Sequence, residues 1–449
     1  MAAAGLVLTT ALLSGLWGNL FTQTLLVVLY GGLCFIYRRF WLIVLLLVGL
    51  LWGNWKHSWE KPIPQKGYVE MEITITSHPT LTPDGTYRYQ AGKIFFTWGE
   101  VFHLGDRVFC RGHIRPYGTQ ALFLPREIVV KKRSFLLGWL SELSLLWQTS
   151  IVQNVPERHI QALLFALVLG NRTYLDYTTK REFQISGLFH LLAISGLHLA
   201  LITGVLNICF ALFLPKKYAL MISCLLATFY TMLLGFPASL LRACLFLWGY
   251  ALLWEVRPQI LWLNYVALSA AVCCLLLPPS WLGIGFSLSF LAVMGIILLA
   301  RPFAILFQKF TPFDTILGTT FAANLATFPL ISWSIGEISV ISPLANLFIL
   351  PLFPFLLAGC FVSALWALFS PIPFILLSFL DHIWHAIAFV IHGLSFAEVL
   401  SFRLSSSITA LFYGLMGFYL LWKLLSVPLS KKKKARKILF SPKNSPQKS

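Results

Sequence analysis

Apolar runs of roughly the twenty residues needed to cross a bilayer as helix recur over residues 5–52 and again over residues 188–425. Such runs leave a chain few ways to fold in water. In lipid the available solution is a bundle of helices, each satisfying its own backbone groups. Composition agrees, with 58% hydrophobic residues, 11% charged residues and a mean hydropathy of +0.79, outside the range of an ordinary soluble domain. About ten to twelve crossings are expected.

The net charge is +18, from 34 Lys and Arg against 16 Asp and Glu. The excess collects in a polar stretch over residues 56–133 and in the run Lys431-Lys432-Lys433-Lys434-Ala435-Arg436-Lys437. A basic balance suits nucleic acid or anionic lipid, and it equally suits the ordinary cytoplasmic flank of a membrane protein. No positive residue precedes the first apolar run and no cleavage context follows it, so the start is expected to stay as helix. Of the eight cysteines only Cys110 lies in the polar stretch, so neither a disulfide framework nor a CxxC zinc pattern is expected.

Composition divides the chain into N-terminal transmembrane helices over 1–54, a polar domain over 55–133, a long apolar domain over 134–428 and a basic tail over 429–449. In the polar domain Val69, Met71, Ile73 and Ile75 alternate with Glu70, Glu72, Thr74 and Thr76, the period of a strand with one buried face. Pro83-Asp84-Gly85 supplies a turn, and further strands are expected at 93–98, 107–112 and 121–131. About five short strands suit a small β-barrel, of which the OB-like fold is one form. Such folds often hold single-stranded nucleic acid on cations and rings, and Arg88, Lys93, Arg107, Arg111 and Arg115 lie near Tyr87, Tyr89, Phe95, Phe96, Trp98 and Tyr117. The same composition fits a barrel whose rings are core and whose cations are solvated.

Loop charge sets the orientation. Arg38-Arg39, Lys216-Lys217, Arg257, Arg301 with Lys309, and the tail are the basic connectors, and they are assigned to the cytoplasm. The turns Gly235-Phe236-Pro237 and Pro278-Pro279-Ser280 then fall outside, as does the polar domain. Later crossings are expected at 314–334, 343–368, 374–400 and 408–425. Residues 135–170, interrupted by Ser141-Glu142 and by Val155-Pro156-Glu157-Arg158-His159, read as interfacial or re-entrant helices.

Within this frame one run is anomalous. Phe189-His190-Leu191-Leu192-Ala193-Ile194-Ser195-Gly196-Leu197-His198 sets two imidazoles and a hydroxyl into sequence otherwise fit for lipid, where such groups are costly unless paired, hydrated or in contact with substrate. On a continuous helix Ser195 and His198 share a face, and His190 lies about 80° round from His198. Gly196 would allow a break where unwound backbone lines water. Arg242 just past one outer turn, Ser287 and Ser289 behind Gly285 past another, and Asn346 near a third fall at the same outer-leaflet depth. Polar groups on four helices at one depth suit a hydrated mouth, or hydrogen bonds that simply join helices. Arg242 fits a phosphate bidentately or snorkels to headgroups. Asn346, between Pro343 and Pro351, suits carbonyls freed by the kinks.

Two enzyme readings are weaker. Ser195 with His198 resembles a nucleophile and its base, yet no acid in the same run orients the imidazole. His382, His385 and His392 near Asp381 do not complete a zinc pattern. No catalysis, cofactor or metal is expected, and with no GxxxxGK[ST] loop any ATP-driven motor must be a separate protein.

Gly170-Asn171-Arg172, Phe183, Gly187 and the run from His190 to His198 together resemble the signature of the ComEC competence family, membrane channels that carry transforming DNA into bacteria. Gly235-Phe236-Pro237-Ala238-Ser239-Leu240-Leu241-Arg242-Ala243, Gly285-Phe286-Ser287-Leu288-Ser289-Phe290-Leu291-Ala292 and Pro343-Leu344-Ala345-Asn346-Leu347 with Pro351 extend the likeness in order and spacing. The resemblance implies a channel for single-stranded DNA in the bacterial cytoplasmic membrane, with an OB-like domain outside and a separate DNA receptor and helicase. Many members continue into a metallo-β-lactamase-like domain. No HxHxDH run is present here, so the resemblance implies a separate nuclease. An intradomain disulfide suggested for some relatives is not available to Cys110 alone.

Overall fold

The computed structural model describes residues 66–92, 94–117, 120–253, 284–308, 313–334 and 336–394, with isolated positions in 266–273 and 400–415. The expected helices over 1–54, Lys93 and the basic tail lie outside the described residues. Nearly everything described belongs to one compact unit, 61–258 with 280–403.

Strands β1 (Gly67–Thr74), β2 (Thr80–Leu81), β3 (Tyr87–Ala91), β4 (Ile94–Trp98), β5 (Arg107–Tyr117) and β6 (Gln120–Lys132) make one sheet in the order β1-β5-β6-β4-β3-β2. Only β4 and β6 run parallel. β1 alternates as its sequence requires, with Val69, Met71 and Ile73 leaning inward and Glu70, Glu72 and Thr74 exposed. The inner face closes on Ile75, Tyr89, Phe96, Phe102, Val108, Ile114 and Phe123. Tyr89 and Phe96, expected near nucleic acid, are therefore core, their ring centroids 5.3 Å apart.

The closed barrel of an OB-like fold is not formed by the described ladders, because β1 and β2 remain edges. After β1 the chain reaches Pro79, which has no N–H to extend a ladder, and turns away. A sparse bridge spans the gap instead: Thr76 N–H donates to the Gln90 carbonyl at 2.8 Å, and Gln90 N–H donates to the Ser77 hydroxyl at 2.8 Å.

The helices are α1 (Phe135–Asn154), α2 (Arg158–Leu167), α3 (Tyr177–Ile185), α4 (Gly196–Ala211), α5 (Lys216–Leu233), α6 (Ala238–Leu253), α7 (Ile284–Phe307), α8 (Asp314–Ser334), α9 (Ser342–Trp366) and α10 (Phe374–Leu394). Glu337–Ile338 (β7) pairs with Leu400–Ser401 (β8). Among the described residues four helices, α7 to α10, are long and apolar enough to cross a membrane, and α4 and α6 are apolar but shorter. They expose Ile208, Phe348, Phe355 and Phe389, an outward face suited to lipid rather than water. α7 and α8 approach along small residues, Gly295 against Ala322 and Ala326, and Gly318 against Ala300 and Ala304.

α1 runs unbroken through Ser141-Glu142 and stops before the expected break at Pro156. Three of the polar residues at its cap and along it serve the β domain, while Asn154 at its end donates to the Ala367 carbonyl. Ser134, Ser141 and Gln148 are seven apart and so share a side of the helix. Ser134 N–H donates to Asp106 Oδ1 at 2.7 Å, the Ser141 hydroxyl meets His78 Nδ1 at 2.7 Å and accepts from Leu104 N–H at 3.0 Å, and Gln148 accepts from Leu81 N–H at 2.8 Å. The other nitrogen of His78 meets the Met232 carbonyl at the end of α5, at 3.0 Å. Gly235 beside it has φ +79, and a Cβ there would lie 3.0 Å from the His78 ring, so this turn suits only glycine.

Candidate functional site

The run leading to His198 is not one helix. Gly187, at φ +73, ends α3 in the left-handed conformation while Leu188 N–H donates to the Phe183 carbonyl at 2.8 Å. A Cβ on Gly187 would also lie 2.6 Å from Ser342 Cβ, so the α3 end and the α9 start meet at a point that only glycine permits. Phe189–Leu191 is a single 3-10 turn, and Ser195 is extended, as the N-cap of α4. The expected wheel relation between His190 and His198 therefore does not hold. Stop and start signals at Gly187 and Ser195 override the apolar continuity between them. His190 Nδ1 faces the Gly187 carbonyl at 3.1 Å.

His198 stands where a capping box places Glu or Gln. Its Nδ1 faces the Ser195 backbone N–H at 3.4 Å and the Ser195 hydroxyl at 3.1 Å. A ring nitrogen that accepts from a backbone N–H leaves the imidazole proton on Nε2. That atom is buried with no protein partner among the described residues, and the ring packs edge-on to Phe353 of α9 at 5.6 Å.

The remaining segments close around this cap. The Ser239 hydroxyl at the start of α6 donates to the Ile194 carbonyl at 2.7 Å, and Ala243 packs on Gly196. Arg242 is buried; it donates to the Gly285 carbonyl at 3.1 Å and lies 5.6 Å from the Phe286 ring centroid, so it joins α6 to α7 rather than snorkelling outward. Ser287 and Ser289 follow on the first turns of α7, half-buried and exposed respectively. Asn346 donates to the Ser342 hydroxyl at 3.3 Å, one turn back, and not to the carbonyls freed by Pro351. Its Oδ1 is buried without a protein partner among the described residues, and Asn324 of α8 reaches the same Ser342 hydroxyl at 3.5 Å. Contacts of their neighbours thus join the segments that carry His190, Ser195, Gly196, His198, Arg242 and Asn346: Gly187 with Ser342, Ile194 with Ser239, Gly196 with Ala243, and His198 with Phe353.

On the β domain, Arg107, Arg111 and Arg115 alternate outward along β5. Arg111 is held between Glu70 and Glu127, each at 3.2 Å, which raises its pKa and leaves it little to offer a phosphate. Arg88 lies over the Phe95 ring at 5.2 Å, and the register Arg115–Leu122 with Leu122–Phe95 puts Arg115 on that same outer face. Sequence reasoning missed Lys66, His113 and Arg126, which with Arg115 and Leu124 line a cavity of about 380 Å³. Arg126 is turned there by a bulge where β5 and β6 slip register after Arg111, a break that no period-two pattern predicts. The α10 histidines go to separate partners: His382 to Ser378, His385 to Asp381, which His159 of α2 also meets, and His392 to Glu182.

Long apolar helices gathered around a polar junction, with an N-terminal sheet domain docked on them, define a mostly helical protein with four helices fit to span a membrane among the described residues. Residues 167–426 match the family model for the Competence protein, and the chain belongs to that family. The matched stretch holds every segment of the junction. The chain is 31% identical over 195 residues to ComE operon protein 3 of Bacillus subtilis (strain 168), across 42% of this chain and 24% of that protein. It is 29% identical to Recombination protein 2 of Haemophilus influenzae, across 46% and 28%, and 28% identical to Competence protein ComA of Neisseria gonorrhoeae, across 49% and 32%. The alignments thus cover a third or less of each relative. No solved structure matches the chain.

Proposed function

We propose that this protein is a multi-pass channel that carries single-stranded DNA across the bacterial cytoplasmic membrane during transformation. The match to the Competence family, with one relative named for competence and one for recombination, supports a role in DNA uptake. The observation that carries the channel reading is a buried donor, His198 Nε2, and a buried acceptor, Asn346 Oδ1, both without protein partners among the described residues at the junction of the family segments. An unpaired buried polar group costs about 1–3 kcal/mol, so such groups persist where water or a polar substrate reaches them. His190, Ser195, Gly196, Arg242, Ser287 and Ser289 shape this entrance, while Arg88, Arg107, Arg115 and the cations around Arg126 gather phosphates on the β domain. A separate receptor, nuclease and ATP-driven helicase complete the system.

A transporter of another anionic or apolar substrate would use the same entrance. The 3.1 Å approach of Ser195 to His198 also favours a hydrolase as a second reading. Photocrosslinking separates them. With a benzophenone side chain in place of the exposed Leu197, competent cells taking up labelled DNA are expected to form a covalent protein–DNA adduct. Adducts confined to the β domain, with none at this position, would contradict the channel reading.

A further inference from the structure

We propose that Arg172, with Arg88 and Lys180 beside it, is a phosphodiester-binding step that passes a nucleic-acid backbone from the β domain to the run beginning at Phe189. This step rests on the DNA-transport reading and names one point on its path. Arg172 opens the 3-10 turn Arg172–Tyr174, whose cap residue Asn171 donates to the Leu81 carbonyl at 2.7 Å. Leu81 pairs with Tyr87 and Thr80 pairs with Arg88, so that bond pins the turn against the strands carrying Arg88. On its other side the Arg172 guanidinium lies 5.0 Å over the ring of Phe189, the residue before His190. The adjacent side chains of Asn171 and Arg172 therefore connect the sheet that displays Arg88 and Phe95 to the first residue of the junction.

The charge balance here is unfavourable as it stands. A half-buried guanidinium ordinarily faces a carboxylate, and Arg172 forms no ion pair among the described residues. Burial and the like charge of Arg88 lower its basicity. Burial lowers that of Lys180 as well, with Asp176 opposing and Arg172 and Arg88 adding to the effect. The nearby carboxylates are engaged, Asp176 by Thr178 and Thr179 at the start of α3, and Asp84 by Thr82 and Thr86. Three cations gathered in this way are relieved by an arriving anion, and a ring-stacked guanidinium keeps its hydrogen-bonding edge for the two oxygens of a phosphate. A lipid headgroup offers the same phosphodiester. Nucleic acid is favoured because Phe95 and the exposed part of Phe189 flank the cations with surfaces on which bases stack.

The test uses the full chain, purified in detergent and in phosphatidylcholine nanodiscs, binding fluorescent oligo-dT across a salt series. Arg172→Ala is expected to weaken binding about tenfold and to reduce the slope of log affinity against log salt by about 0.7, the loss of one phosphate contact on a single strand. Arg172→Lys, which keeps the charge and the fold, is expected to restore the slope but not the full affinity. Unchanged affinity and slope in both variants would overturn the site. So would phosphatidylglycerol nanodiscs that displace oligo-dT from the wild-type chain but not from Arg172→Ala, which assigns the cations to headgroups. If deleting the gene leaves transformation intact, the DNA-transport reading itself falls. If deletion abolishes transformation while both variants bind and transform as wild type does, only the Arg172 step falls.

Discussion

The Ser195 hydroxyl lies 3.1 Å from His198 Nδ1, a separation that suits a helix cap and a nucleophile's base alike. The surroundings of the imidazole separate the two. A catalytic histidine is oriented by an acid on its far nitrogen, whereas His198 Nε2 meets no protein acceptor among the described residues and the ring leans on Phe353. Capping is then the larger role of the pair. Ser195→Ala is expected to cost about 1 kcal/mol of stability, read from thermal melts, with a partial loss of transformation, and Ser195→Asn to recover most of both. Complete loss of activity from a Ser195→Ala protein that melts normally would instead mark a nucleophile. In the sequence Gly196 offered a break, whereas Gly187 and Ser195, the stop and start that the structure uses, were not read as helix ends. What hid the break was Leu191 to Ile194, apolar enough to read as one continuous helix with His198.

At the scale of elements, the least conspicuous contact joins α1 to the segment between β1 and β2. Ser141 and the Met232 carbonyl hold His78 between them, and burial keeps its pKa below the ordinary 6.5 in spite of the bond to Met232, with His103 adding to the effect. Below 6.5 the unfolded chain takes up this proton before the folded one does. Stability is therefore complete above that pH and is lost as pH falls toward the depressed value, at up to roughly 1.4 kcal/mol per pH unit within the window. Melting followed by tryptophan fluorescence from pH 8 to 5 is expected to show this slope in the wild type and a shallower one in His78→Gln. An identical slope in both would remove His78 from the account. The alternation in β1 was legible because its period is local. The order of the sheet was not, since closure depends on pairings that Pro79 and the Arg126 bulge redirect. The docking of α1 left a trace in the sequence: Ser134 at its cap, Ser141 and Gln148 recur every seven residues, although Glu142, Ser144 and Thr149 between them blur the pattern.

At the scale of the molecule, the family segments meet through small, specific contacts: Gly187 with Ser342, Ile194 with Ser239, Gly196 with Ala243, and Arg242 with Gly285. Loop charge had put them at one depth, but only packing could say that they touch. The cations of the β domain were half legible. Arg88 and Arg115 share an outer face, Arg111 is neutralised by Glu70 and Glu127, and Lys93 lies outside the described residues. Substrate passage is the central claim, and the most direct measurement follows labelled transforming DNA in a naturally competent host from which this gene has been deleted. The account predicts that DNA still binds the cell surface but never becomes nuclease-resistant in the cytoplasm, and that the full-length gene restores entry. Unchanged entry of DNA in the deletion strain would contradict it.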